Sequence, residues 1–288
     1  RTLVIPSISL LTGTGNAIAG AGAGAALTSG NNNTLFGVGA GNATIDGVDA
    51  TLIGYNAGLL MGATASGTTA VGAFALDALT TGEANTAVGR GALSAISTSN
   101  GATAVGYHAL ALATGSQNTA VGAFALDSMT TGTTNVGVGY GVLSNSTASG
   151  NTALGYKAGH GITSGSSNII LGKNANASSD TASNEFVAGA TGFGVANVYF
   201  GEGPGADATP LTYTINGTGA SSTDIAGGAL QLAGGKGTGT GAGGSLIFQT
   251  AAAGSTGSTL NSLTTRLTID STGASTFSPG AQTIASAA

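Results

Sequence analysis

Between Gly20 and Gly172 one short phrase is written over and over. Its anchor glycines are Gly20, Gly37, Gly54, Gly72, Gly89, Gly106, Gly122, Gly139, Gly155 and Gly172, separated by 17, 17, 18, 17, 17, 16, 17, 16 and 17 residues. Fixed periods of this kind mean stacked units, each covering its neighbour. A unit of about 17 residues is too short for a helix pair, so the period predicts a β-solenoid coil made of two short strands and two turns.

Each place in the phrase has its own chemistry. Just before the anchor stands an apolar, mostly β-branched residue such as Val71, Val88, Val105 or Val121. Two before it is usually Ala, three before usually Thr, four before often Asn. Three after it is Ala or Val, and four after it is Leu in the central copies, Leu76, Leu93, Leu110, Leu126 and Leu143. Branched residues favour strands, and alternation puts Thr and Val on the face opposite Ala. The anchors Gly37, Gly54, Gly72, Gly89, Gly106, Gly122, Gly139, Gly155 and Gly172 allow a tight corner. The Ala-Leu piece after each anchor reads as the second strand, and Thr-Gly or Ser-Gly pairs close the coil.

Stacking at about 4.8 Å per coil turns each place into a column, and nine steps span roughly 43 Å. The Asn column is expected to hydrogen-bond along the axis through its amides, as Asn ladders do in cross-β arrays. Coils this thin enclose little, so the Val, Ala and Leu columns are expected to be shared among several packed chains. The fold class expected is therefore all-β: a parallel β-solenoid or β-roll, packed with other chains, followed by a second β-rich module.

The flanks differ. Residues 1–14 carry Leu3-Val4-Ile5-Pro6 and read as an N-terminal connector or cap. Residues 15–176 are the repeat, and 177–205, with Phe186-Val187-Ala188-Gly189, a junction that closes it. Residues 206–288 show strand-like alternation at Leu211–Ile215, Leu230–Leu232, Leu246–Gln249 and Leu267–Ile269 between Gly-rich turns.

Composition narrows the function. Only 6% of residues are charged against about a quarter in ordinary domains. The net charge of −5 is spread out with no basic run, which argues against nucleic acid. No apolar run approaches the roughly 20 residues of a membrane helix, so no membrane insertion is expected. Cys is absent, which excludes disulfides and thiolate metal sites.

The repeat Asn85-Thr86-Ala87-Val88-Gly89, with its copies at Asn118 and Asn151, resembles the head repeats of trimeric autotransporter adhesins. That resemblance implies a parallel β-roll in a trimer. Similar Asn-Thr-Ala-Val-Gly arrays occur in phage tail-fibre and virion-fibre proteins. Gly227–Leu232, Gly237–Leu246 and Arg266–Gly273 resemble the shaft that precedes the self-cleaving chaperone domain of tail fibres. The resemblance implies a structural attachment fibre, virion-borne or extracellular. The alternatives are a bacterial surface adhesin or filament subunit, and a monomeric ice- or polysaccharide-binding solenoid. For the last, Thr34 to Thr152 is read as a single column beside apolar residues rather than a flat two-column face.

No catalytic residue, cofactor or metal is expected. His108 and His160 sit at inequivalent places without a recurring acid or Ser partner. Asp77 and Asp127 are equivalent and read as turn caps or a solvated face, and Asp46 with Asp49 lack the ligand density of a calcium loop. The glycine runs lack the Gly-Lys-Ser/Thr ending of a phosphate loop. The candidate contact site is a stripe following the anchors: Tyr55, Tyr107, Tyr140 and Tyr156, with Arg90 and Lys173 in the same column. It is the expected place for host-surface glycans.

Overall fold

A computed structural model describes residues 13–43, 46–62, 65–190, 193–194, 215, 229–251 and 262–278. The expected strands at Leu3–Leu11 and Leu211–Thr214 lie outside these residues. The chain forms two units, 1–196 and 197–288.

The first unit is the solenoid. Ten three-residue strands, β1 (Ala17–Ala19), β2 (Thr34–Phe36), β3 (Thr51–Ile53), β4 (Thr69–Val71), β5 (Thr86–Val88), β6 (Thr103–Val105), β7 (Thr119–Val121), β8 (Val136–Val138), β9 (Thr152–Leu154) and β10 (Ile169–Leu171), stack in sequence order. They pair in parallel with like over like, so Thr86 faces Thr103, Ala87 faces Ala104 and Val88 faces Val105. The ladder runs past residue 176: β11 (Phe186–Ala190) takes the next rung on β10, then folds back antiparallel on β12 (Phe193–Gly194).

Each coil has one strand, not two. The Ala-Leu piece expected as a second strand is a turn wall, because its residues alternate into the left-handed region: Phe124 at φ 56°, Leu126 at φ 51°. This alternation points successive amides in opposite axial directions. Phe124 N–H donates to the Tyr107 carbonyl of the preceding coil at 2.9 Å, and Leu126 N–H to the Val142 carbonyl of the following one at 2.9 Å. The wall is therefore laddered from coil to coil without being a strand.

The anchor column shows why only glycine serves at the corner. Gly122 has φ 131°, and a Cβ there would lie 2.4 Å from the Gly139 carbonyl oxygen of the next coil. Both the backbone conformation and the coil-to-coil contact exclude a side chain.

Burial follows the strand alternation. Ala70, Ala87, Ala104 and Ala120 point inward and are wholly buried, with Leu76, Leu93, Leu110 and Leu126 opposite them. The expected sharing of these columns among chains is thus corrected: a single coil closes over its own Ala and Leu. Only the Val column faces outward, with Val88, Val105 and Val121 exposed. Thr shares that outward face, so the Thr and Val columns lie side by side on one sheet surface. Thr therefore forms a single column with an apolar column beside it.

Between the strand and the turn wall a large side chain comes from either side. In the coils of Gly37 and Gly54 it is Leu35 or Leu52 on the strand, opposite Gly41 or Gly58. A Cβ on Gly58 would meet Leu52 Cδ1 at 2.8 Å. In the coils of Gly72 to Gly122 the strand carries Ala and the turn carries Leu. A second large side chain seven places after the anchor, such as Met61, Leu79, Ile96 or Met129, is buried as well. Both arrangements bury one Leu between the walls, so that gain is common to them. A Leu on the turn adds the cost of a left-handed non-glycine residue, about 1–3 kcal/mol.

The Asn column works differently from a ladder of amides. Asn118 Oδ1 accepts from Asn135 N–H at 2.9 Å, and Asn118 Nδ2 donates to the Gly132 carbonyl at 2.8 Å. Asn16, Asn33, Asn85, Asn135, Asn151 and Asn168 make the same two bonds to the backbone of the following coil. Side chain to backbone is the rule. Amide-to-amide bonds occur only as additions, as from Asn135 Nδ2 to Asn118 Oδ1 at 3.1 Å. Ala50, Thr68 and Ala102 interrupt the column.

The second unit holds a three-stranded antiparallel sheet, β13 (Leu246–Ala251), β14 (Leu263–Ile269) and β15 (Ser275–Phe277). Leu230–Leu232, expected as a strand, is not one. Among the described residues of this unit no side chain is buried.

Candidate functional site

The first and second places after each anchor form two adjoining outward columns. Their residues leave the same corner glycine, so rigid coil stacking sets their spacing at about 4.8 Å per step. Tyr107, Tyr140 and Tyr156 are brought together by a residue of the second column, Phe124. Tyr107 meets Phe124 edge-on at 5.2 Å, Phe124 meets Tyr140 at 5.7 Å, and Tyr140 stacks on Tyr156 at 5.5 Å with planes 10° apart. Tyr55 stands apart from these three and pairs edge-on with Phe74 at 5.2 Å.

Cations close both ends of the larger group. The Arg90 guanidinium lies 5.8 Å from the Tyr107 ring centre and donates to the Tyr107 hydroxyl at 3.2 Å. Lys157 Nζ lies 5.6 Å from the Tyr156 ring centre. His108 approaches Arg90 at 3.3 Å through Nε2 and stacks on Phe124 with planes 10° apart. The row is therefore Arg90, Tyr107, His108, Phe124, Tyr140, Tyr156 and Lys157.

This geometry limits what the stripe can do. The faces of Tyr140 and Tyr156 are turned on each other, so a sugar ring cannot stack between them. Ring edges, hydroxyls and the terminal cations remain available. Tyr107, Tyr140 and Tyr156 are each more than two-fifths exposed.

The sequence reading missed Phe74, Phe124, His108 and Lys157 as members of the stripe. The signal was there: all four hold the second place after an anchor.

Beside the second column lies the fifth place after the anchor, where Asp77 and Asp127 sit. Neither is a freely solvated carboxylate. One oxygen of each, Oδ1, is buried without a hydrogen-bond partner. Burial pushes both carboxyls above their ordinary range. For Asp127, bonds to Ser128 and Asp127 N–H and the nearby His108 oppose that push. An open cleft of about 390 Å³ adjoins Asp127, walled by Phe124 and Tyr140, with Gly141 in its floor and Ser144 and Lys157 at its far side.

The other acidic residues bind the chain to itself. Asp46 accepts from the Thr28 hydroxyl at 2.9 Å and from the Ser29 hydroxyl, and these bonds hold its carboxyl below the usual range. Asp49 accepts from Asn32 Nδ2 at 3.1 Å. Each caps the preceding coil. Among the described residues no three His, Asp or Glu side chains group as metal ligands. Among them, too, no helix is long and apolar enough to cross a membrane.

No protein-family model, curated protein or solved structure matches this chain.

Proposed function

We propose that this chain is a structural attachment protein, one of three copies of a homotrimeric fibre on a virion tail or surface, whose flank contacts host-surface glycans. The observation that carries this reading is the row from Arg90 to Lys157, held on successive rigid coils with its hydroxyls and cations outward. Such a row suits weak contacts repeated along a surface, multiplied by three copies through effective concentration. The trimer is supported by the second unit. A three-stranded sheet needs a covered apolar face to be stable, and here Phe248 and Phe277, set on one face by their pairing with Leu267, stand exposed.

Adsorption to cells and to glycan arrays tests the reading. Replacing Tyr107 and Tyr140 by Ala should abolish it, and unchanged adsorption would remove the stripe from the function. Light scattering in dilute buffer should give three chain masses; one chain mass would refute the trimer.

A second reading draws on the outward Thr and Val columns, which lie side by side along β4 to β7. That face favours a solenoid binding a repeating lattice, ice or a crystalline polysaccharide. Thermal hysteresis or retention on insoluble polysaccharide, lost on replacing Thr86 and Thr103 by Lys, would favour it over the stripe.

A further inference from the structure

The coils are not all alike: a longer period of three coils runs through the stripe. Ala70–Gly82 and Ala120–Gly132 differ only at Ala78/Ser128 and Leu79/Met129. In the second place after the anchor the order Phe74, Gly91, His108 is repeated as Phe124, Gly141, Lys157. In the fifth place Asp77, Ser94 is repeated as Asp127, Ser144. Each triplet thus sets a ring, then a glycine gap, then a nitrogen-bearing side chain along one column, with an Asp and a Ser in the fifth place.

The two gaps differ. Over Gly91 the His108 ring leans in, its Cε1 3.0 Å from where a Cβ would stand, and Arg90 is within hydrogen-bond distance of that ring. Over Gly141 the nearest atom to such a Cβ is Lys157 Cγ at 3.6 Å, and the gap opens into the cleft of about 390 Å³. Asp127 lines that cleft, and its carboxylate can accept there from a ligand hydroxyl.

We propose that the cleft over Gly141 is a saccharide subsite for a neutral, hydroxyl-rich sugar unit, with Asp127 as acceptor, Ser144 and Lys157 as donors, and the edges of Phe124 and Tyr140 as its wall. A carboxylate in the cleft disfavours an acidic sugar, and of the two triplets only the one at Gly141 leaves its gap open, which sets one such site per chain. The proposal rests on the glycan reading above and narrows it to the part of the row between Phe124 and Lys157.

The test is calorimetric titration of the full chain with maltohexaose, cellohexaose and linear mannohexaose. The variants are Asp127→Asn, Gly141→His, Gly141→Asn and Tyr55→Ala. Position 141 accepts these side chains because His108 and Asn56 hold the same left-handed place in other coils, at φ 52° and 53°. Melting curves confirm that each variant is folded. Saturable binding at one site per chain is expected, weakened at least tenfold by Asp127→Asn and by both substitutions at Gly141. Tyr55→Ala, five coils and about 24 Å away at about 4.8 Å per coil, should leave it unchanged. If the cleft variants bind like the parent while Tyr107→Ala loses adsorption, this proposal is overturned and the stripe reading survives. If Tyr107→Ala leaves adsorption unaffected but the cleft titration holds, the wider stripe reading falls instead. No saturable binding to any of the three sugars overturns the subsite.

Discussion

The solenoid and the C-terminal sheet are built from the same small, uncharged residues, yet they solve burial in opposite ways. In the solenoid every central coil closes over its own Ala and Leu, and its Asn side chains bond the backbone of the next coil. In the sheet of β13 to β15 no described side chain is buried, and Leu263 is 65% exposed. Stacking lets a thin unit borrow its neighbours as walls, whereas a flat sheet has only its own two faces. The apolar surface that one chain leaves uncovered therefore lies in the C-terminal unit and the outward Val column, not in the Ala and Leu columns.

The sharpest way to break this comparison is one substitution made in both units. Gly122→Ala should cost at least about 3 kcal/mol, since it combines a forbidden backbone conformation with a clash into the next coil. Gly235→Ala should fall within about 0.5 kcal/mol of the parent, because a Cβ there meets nothing within 4 Å. Denaturant unfolding measures both, and similar losses at the two positions would refute the contrast.

Removing what fills the coil comes next. Leu126→Ala should destabilise by about 2–5 kcal/mol. Asn118→Ala strands the buried Asn135 N–H and the Gly132 carbonyl and should cost about 2–4 kcal/mol. The native Ala50 and Ala102 in this column indicate that the solenoid survives such a gap. The counterpart in the sheet, Phe248→Ser, should leave the solenoid transition in place while lowering the mass seen by light scattering.

The smallest effect is in pH dependence, where Asp127 in the solenoid and Asp270 in the second unit act in opposite directions. The folded chain raises the Asp127 carboxyl above 3.8, so it binds a proton more tightly than the unfolded chain does. Stability then falls as pH rises through that interval, and Asp127→Asn should melt slightly higher at pH 7, the gain fading below about pH 4. Asp270 is lowered instead, by bonds from the Thr272 hydroxyl at 2.7 Å, Thr272 N–H at 2.8 Å and Ala274 N–H at 3.0 Å. Its contribution is present above the unfolded value and is lost on acidification, so Asp270→Asn should lose stability at pH 7 and not at pH 2.

Much of this was readable in the residues. The anchor glycines, and Thr and Val facing opposite to Ala, follow from period and alternation alone; which of the two faces is the inner one does not. The turn wall did not, because Leu is not expected in the left-handed region. The cue was Gly41, Gly58 and Gly159 sharing a column with Leu76 and Leu126. At the site, Tyr107, Tyr140 and Tyr156 were legible as a column, but Phe124 as their link and the unpaired Asp127 oxygen were not.

By itself the sequence determined that identical rungs lie over one another, since a fixed period of small residues has no other way to satisfy its backbone. Only the tertiary structure decided which columns touch, which ring faces are already occupied, and where a gap in the side-chain column leaves a carboxylate beside open space. Those depend on rotamers and on contacts between neighbouring coils, which no single copy of the repeat contains.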